Sequence, residues 1–375
     1  MSYDQSPDSF KVRESKTLTF FLAVVALLII IGFIFIYSSS SIYALERLGK
    51  PHYFVVRHLS GFVLGGIGLV ICRSVSLEMI KKLTPYAFFG SVLLTSLTLI
   101  SGMGIEIHGS RRWISLFGIV MQPSELLKAT LVLYLAFILA KKRFSLRSFM
   151  HGYVPFLCII GIASLILLKQ PDFGQTITVC LMAFLLFFTV QVRTEYLLAT
   201  VIPLIPLTAF LIYSKPYRFK RILIFLNPWQ EPHGAGFQII QSLIAIGSGR
   251  FFGLGIANSK QKFFYLPMQH TDFIFSIIAE ETGFLGSCIL ITLYMLFLYF
   301  GLKLASEIED PFSSYTVLGF VTITTIQAII NLGVTTGLLP TKGIGLPFVS
   351  YGNSALICSL CMIGIIINCA RTRAD

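Results

Sequence analysis

Apolar runs of about 18 or more residues recur along this chain with few charges inside them, and that is the length an α-helix needs to cross a bilayer. Backbone placed in lipid must satisfy its own polar groups, so runs of this length select helices. Composition agrees: 55% of residues are hydrophobic, only 12% are charged, and mean hydropathy is +0.82. These properties exclude a soluble enzyme, a disulfide scaffold and a disordered regulator. The expected fold is an all-α polytopic membrane protein.

Ten transmembrane helices are expected, over 17–38, 59–74, 84–102, 124–140, 150–168, 174–191, 195–213, 272–300, 314–337 and 353–370. They form one integral membrane domain over 1–375, with residues 1–16 as a cytoplasmic tail. An even number of spans puts both termini on one side. Basic residues favour the cytoplasm for that side by about two to one over the short loops of the opposite face. The first apolar run is too long for a cleavable signal peptide and lacks a small-residue cleavage site. All seven cysteines fall in or at the ends of spans, so no disulfide framework is expected, and Cys358 and Cys361 are expected to face lipid.

One connection is unusual. The large loop over 214–271, between spans 7 and 8, is extracytoplasmic in this topology. It carries Lys215, Arg218, Lys220, Arg221, Arg250, Lys260 and Lys262 against a single acid, Glu231. A loop of this length is unlike a passive connector. Its amphipathic pieces suit short helices lying on the membrane surface. Its cations suit either a phosphate-bearing ligand or anionic headgroups; they do not imply nucleic acid.

Four polar clusters fall at the outer face, where polar groups in or beside spans are costly and informative. In GSRRWISLFGIVMQPSELLK, Arg111, Arg112 and Trp113 place cations beside an aromatic ring, and Glu125 and Lys128 are i,i+3 neighbours that suit an internal ion pair. In the turn KQPDFG, Lys169 and Asp172 are placed to neutralise each other. In LPMQHTDFIFSIIAEETGFLG, Thr271 reads as an N-cap and Asp272 as the first residue of a long helix. Asp272, Ser276 and Glu280 then share one stripe. Asp272 suits a helix-dipole partner, a proton acceptor from a bound hydroxyl, or a ligand to a metal beside a diphosphate. The fourth, GLLPTKGIGLPFVSYGNS, reads as a re-entrant segment lining a cavity, with Lys342 pointing a charge into it. A transporter and a membrane-embedded transferase both fit; there is no Walker A motif.

The stretches GSRRW, QPSELLK, QPDFG, RILIFLNPW, GAGFQIIQSLIAIGSGRFFGLG, LPMQHTDFIFSIIAEETGFLG and GLLPTKGIGLPFVSYGNS run in the order found in one family. The chain closely resembles the SEDS family of bacterial cell-wall polymerases, over nearly its whole length. The resemblance implies a peptidoglycan glycosyltransferase that polymerises lipid II at the outer face of the bacterial cytoplasmic membrane. Transfer inverts the anomeric carbon and undecaprenyl diphosphate leaves. It makes Asp272 the catalytic base candidate for the incoming 4-hydroxyl. Substrate-binding positions are expected at Arg111, Arg112, Trp113, Glu125, Lys128, Asp172, Arg221, His270, Lys342 and Ser350. A divalent cation, magnesium or manganese, is compatible with this chemistry, but no ligand set is readable; no nucleotide, haem or flavin is expected.

NSKQKFFYLP with Lys262, and LPTKG with Lys342, look like the division-type members. That implies action at the division septum, a class B penicillin-binding protein as transpeptidase partner, and contact with other division proteins and membrane lipids. The alternatives are an elongation-type polymerase, a lipid II flippase and a non-catalytic scaffold. Two positions depart from the family pattern. Met268 stands where LPExHTD carries an acid, and Asn353 where SYGG ends in glycine, a turn that asparagine can preserve in a left-handed conformation.

Overall fold

The computed structural model describes residues 16–100, 103–107, 110–116, 119–141, 148–214, 216–234, 236–263 and 266–371. The tail expected over 1–16 lies outside them except for Lys16, as do Gly109, Lys142, Arg143, Arg147 and Lys215. The described helices are α1 (Lys16–Leu48), α2 (Tyr53–Ser74), α3 (Leu77–Leu97), α4 (Pro123–Ala140), α5 (Val154–Lys169), α6 (Phe173–Thr189), α7 (Thr194–Tyr213), α8 (Pro216–Leu226), α9 (Phe237–Ser248), α10 (Ile274–Glu307), α11 (Pro311–Thr335) and α12 (Asn353–Arg371). Each of the ten expected spans falls on one of these, with α8 and α9 inside the long loop. Among the described residues, seven helical stretches are long and apolar enough to cross a membrane: α1, α2, α4, α5 with the π-turn before it, α10, α11 and α12. α3 opens with Glu78, Lys81 and Lys82, and α6 has 17 residues.

Two faces of α2 show how the helices sort. Val56, Leu59, Val63, Ile67 and Val70 recur at helical spacing and are exposed, as lipid-facing residues are. On the other face Gly61 and Gly65 are buried against α12. A methyl group at Gly65 would come within 2.7 Å of Leu360 and 3.1 Å of the Ile357 backbone. Small residues let two backbones approach closely, which drives association where the hydrophobic effect is absent. α11 is the most enclosed spanning helix and packs against α4, α6 and α10.

The all-helical expectation needs one correction. The first outer loop folds into an antiparallel sheet of β1 (Gly104–Ile107), β2 (Ser110–Leu116) and β3 (Ile119–Met121), in the order β1-β2-β3. Trp113 pairs with Ile105 and Arg111 with Glu106, so Arg112 is the extra residue of a bulge in β2. β-branched Ile105, Ile114, Ile119 and Val120 suit such a ribbon, and the charges of Glu106, Arg111 and Arg112 keep it from reading as a span.

The long loop departs from a set of surface helices. α9 buries Ile239, Ile240 and Ala245 against the bundle, and the Ser242 hydroxyl meets Ser276 at 2.6 Å and donates to Thr335 O at 2.6 Å. Beyond α9, the chain docks into a break in α10 at Gly283, whose φ is +70°. Leu254 N and Gly255 N donate to Glu280 O and Glu281 O, and Phe284 N and Leu285 N donate to Arg250 O and Phe251 O. The loop thus satisfies the backbone groups that the break releases.

Candidate active site

Asp272 sits in the turn before α10, not inside it. The helix begins at Ile274 with Phe273 at its N-cap, so the expected stripe of Asp272, Ser276 and Glu280 does not form. Met268, at φ +55°, shapes the turn, and its carbonyl accepts from Thr271 N and Phe273 N. Ser276 binds Ser242, while Glu280 accepts from Ser259 Oγ and from Lys260 N at 2.9 Å. Those two anchor the long loop and leave Asp272 as the carboxylate of the turn.

The re-entrant segment 341–352 packs directly on this turn. Asn331 of α11 donates from Nδ2 to Asp272 O (2.8 Å) and to Ile344 O (2.7 Å). Ser350 Oγ donates to Thr271 O (2.5 Å) and accepts from Leu346 N (2.7 Å), and Tyr351 N donates to His270 O (2.9 Å). Asp272 Oδ2 lies against Gly343, where a Cβ would stand 3.2 Å away. Among the described residues no hydrogen bond reaches the half-buried carboxylate. Burial pushes its pKa up to about 7; the nearby Asp172 carboxylate adds to the rise and the Arg112 guanidinium opposes it.

Arg112 and Asp172 form the second part of the site. Asp172 caps α6, accepting from Gln175 N at 3.2 Å, and stands 3.3 Å from Arg112 Nη1. The expected neutralisation by Lys169 is therefore replaced by Arg112, which the bulge aims at this turn. Burial raises the Asp172 pKa against the pull of Arg112. Lys342 points into the same region: its Nζ lies 5.0 Å from the Phe173 ring centroid, and its side chain passes Gly174. Burial lowers the Lys342 pKa to about 8, with Asp172 favouring its charge and Arg221 opposing it. A positive helix N-terminus, a cation of lowered pKa and the Arg112 guanidinium thus gather around Asp172, and Arg112 and Asp172 in turn act on the Asp272 carboxylate.

The other expected residues divide. Glu125 and Lys128 form a buried ion pair at 2.8 Å, with Gln175 Nε2 donating to Glu125 at 2.9 Å; both charges act on Asp172. Arg221 on α8 donates to Thr341 O at 3.2 Å and lines a cavity of about 330 Å3 with His233, Phe237 and Pro267. Arg111 pairs with Glu106 at 3.2 Å and opens on a separate cavity of about 250 Å3 beside Lys169 and Pro171. Trp113 is half-buried in β2 across from Ile105. His270 turns its ring into an aromatic cluster, 4.4 Å from Phe54 and 5.8 Å from Tyr351, and burial lowers its pKa to about 4. The Ser350 hydrogen bonds and the His270 ring contacts support the turn. Asn353 begins α12 and packs on Gly61, with no left-handed turn. Asn331 is not among the residues that the sequence singles out, although a buried amide inside an apolar span is the kind of costly group that signals a role.

Among the described residues no three of His, Cys, Asp or Glu cluster as metal ligands would, and Asp172 faces a guanidinium.

Residues 18–375 match the FtsW/RodA/SpoVE family, described as cell cycle proteins. The chain belongs to that family. Among its FtsW/RodA/SpoVE relatives, a probable peptidoglycan glycosyltransferase FtsW of Geobacter sp. (strain M18) is 39% identical over 92% of this chain and 95% of its own. Stage V sporulation protein E of Bacillus subtilis (strain 168) is 38% identical over 93% and 95%. A chain from a peptidoglycan synthase complex that coordinates polymerization and crosslinking superposes with a TM-score of 0.78 at 32% identity, covering 94% of this chain and 97% of that one. The rod shape determining protein RodA of Thermus thermophilus superposes at 0.70 with 26% identity, covering 95% and 97%.

Proposed function

We propose that this protein is a peptidoglycan glycosyltransferase that extends glycan strands from lipid II at the outer face of the cytoplasmic membrane, with Asp272 as general base. The observation that carries the reading is the Asp272 carboxylate itself: half-buried, without a hydrogen-bond donor among the described residues, and shifted to about 7. A base so tuned removes a proton efficiently near neutral pH. The proton of the acceptor's 4-hydroxyl passes to Asp272 as that oxygen bonds to the anomeric carbon of the donor. The bond from that carbon to the diphosphate oxygen breaks with inversion, and undecaprenyl diphosphate leaves with the electron pair. Arg112, Lys342 and the α6 N-terminus supply positive charge for the departing diphosphate. Arg221 and Arg111, each at the mouth of a cavity, suit the charged parts of two bound substrates.

In this reading α3, α6 and α7 also cross the bilayer, giving ten spans with cytoplasmic termini and the 214–271 loop outside. The same reading assigns a septal role, with a class B penicillin-binding protein as transpeptidase partner. The FtsW names of the relatives and the synthase complex support these assignments. Purified protein, supplied with lipid II and a cognate transpeptidase, should yield glycan strands on a gel, and Asp272→Asn should yield none. Strands of equal length from a well-folded Asp272→Asn protein would end the base assignment. Their absence from both proteins would end the polymerase reading.

A further inference from the structure

The two segments that meet at Asp272 come from chain positions far apart, and one side chain from a third element joins them. Asn331 is 1% exposed within α11, and its amide nitrogen uses both hydrogens: one on Asp272 O (2.8 Å), the other on Ile344 O (2.7 Å). Both acceptors are carbonyl oxygens, so the NH2 must face them and the amide orientation is fixed. That choice leaves Asn331 Oδ1 buried without a partner among the described residues, a cost usually met only where the other half of the group is needed.

Geometry gives the amide a further consequence. Ile344 follows Gly343, and Gly343 is the backbone against which Asp272 Oδ2 lies; Lys342 precedes it. Fixing Ile344 and Asp272 to one rigid nitrogen therefore fixes the gap between the carboxylate and the 342–343 backbone. Ser350 and Tyr351 pin only the neighbouring Thr271 and His270. Aspartate at 331 offers no hydrogens and would set a charge against two carbonyls, and leucine keeps the volume but loses both bonds.

We propose that Asn331 is a positioning residue for the glycosyl-transfer reaction: it holds the Asp272 carboxylate against the Gly343 backbone. This rests on Asp272 being the base. With the amide gone, the turn and the re-entrant segment separate, water reaches the carboxylate, and its proton affinity falls toward that of an ordinary aspartate. The base then becomes weaker and misplaced, while the cation-lined cavities still bind substrate.

The experiment uses the full-length protein in detergent or nanodiscs, comparing wild type, Asn331→Leu, Asn331→Asp and Asp272→Asn. Lipid II polymerisation is measured from pH 5 to 9, beside carbodiimide labelling of Asp272 read by mass spectrometry over the same range. For Asn331→Leu we expect kcat to fall about 10- to 100-fold with KM within about 3-fold. The acid limb of the rate profile and the labelling midpoint should both move down by about one pH unit or more. Asn331→Asp should lose more activity than Asn331→Leu. Variants that are monodisperse, yet keep wild-type kcat or lose activity with rate profile and labelling midpoint unmoved, would overturn the proposal. Labelling needs no turnover, so a shifted midpoint with active Asp272→Asn would retain the clamp and remove the base. An unshifted midpoint would remove the clamp whatever the activity shows.

Discussion

Arg112 Nη1 stands 3.3 Å from Asp172 Oδ2 while two other nitrogens of the same guanidinium donate to Gln170 O (3.1 Å) and Pro171 O (2.7 Å). One planar fork therefore ties the bulge of β2 to the turn that starts α6. Asp172 in turn caps that helix, so sheet, turn and helix share a single charged joint beside Asp272.

Replacing Arg112 by Gln should disturb both halves of this joint. The buried Asp172 charge would lose its partner, which costs about 3 kcal/mol and should lower the melting temperature by several degrees. Arg112 also holds the Asp272 pKa down against burial. Its removal should therefore move the acid limb of the polymerisation profile to higher pH, opposite to the shift expected for Asn331→Leu. Arg112→Lys keeps the charge but not the fork, and should restore the pH profile better than the melting temperature.

Asp272→Asn should inactivate the protein and stabilise it. Folding raises this carboxyl from its ordinary 3.8 to about 7, so the native state binds the proton more tightly than the unfolded chain. The charged form disfavours folding; its effect is absent below about pH 4, grows between the two pKa values and levels off above about 7. The melting temperature of Asp272→Asn minus that of wild type should follow that course, near zero at pH 4 and a few degrees positive at pH 8. A flat difference across this range would show that the carboxylate is not shifted. The wild-type rate should fall about tenfold per pH unit below 7, because the base is then protonated.

The polytopic helical character and the seven stretches long and apolar enough to cross a membrane were legible because lipid demands unbroken apolar runs, and those survive in the sequence without any tertiary knowledge. Asp272 was legible too, as a carboxylate at a span edge inside a recognisable motif. Its setting was not. Helical spacing counted from residue 272 misplaces it, because the turn shaped by Met268 delays the helix to Ile274. Arg111 and Arg112 are adjacent in sequence, and only the bulge, a matter of strand register, sends one to Glu106 and the other to Asp172. Asn331 escaped because its partners lie 59 and 13 residues away, on segments that no periodic pattern relates.

Gly343→Ala tests how closely the carboxylate must approach the backbone. The added methyl group would stand 3.2 Å from Asp272 Oδ2, tighter than an ordinary carbon–oxygen contact. The carboxylate must rotate or retreat by a few tenths of an ångström, and a misplaced catalytic group loses rate steeply. We expect kcat to fall about tenfold or more with little change in melting temperature, measured by strand formation and thermal unfolding. Gly345→Ala, two residues on and facing Ser350 instead, serves as the comparison and should have the smaller effect on kcat.

The dock between the long loop and α10 should behave as a second, separable unit. Gly283 holds φ +70° and ψ −162°, a region essentially reserved for glycine, and its missing side chain lets Gly253 and Phe251 reach the break. Below the break, Glu281 accepts from Ser38 Oγ (2.6 Å) and faces Lys262 Nζ at 3.4 Å, all three buried, so α1 is fastened to the same loop. Gly283→Ala should therefore free the 250–255 segment, exposing it to protease while α10 remains helical on either side. Lys262→Met alone strands the Glu281 charge and should cost about 3 kcal/mol or more, whereas Lys262→Met with Glu281→Leu removes both charges and should cost less than Lys262→Met alone. Thermal unfolding of the four proteins of that cycle measures the coupling. Because Gln269 of the Asp272 turn donates to Lys262 O at 3.1 Å and to Ser39 O at 2.7 Å, loosening the dock should also lower the polymerisation rate. The Gly283→Ala loss should appear in kcat and track the protease sensitivity of the loop, since the Asp272 turn is tied through Gln269 to Lys262, on the same loop that docks at the break.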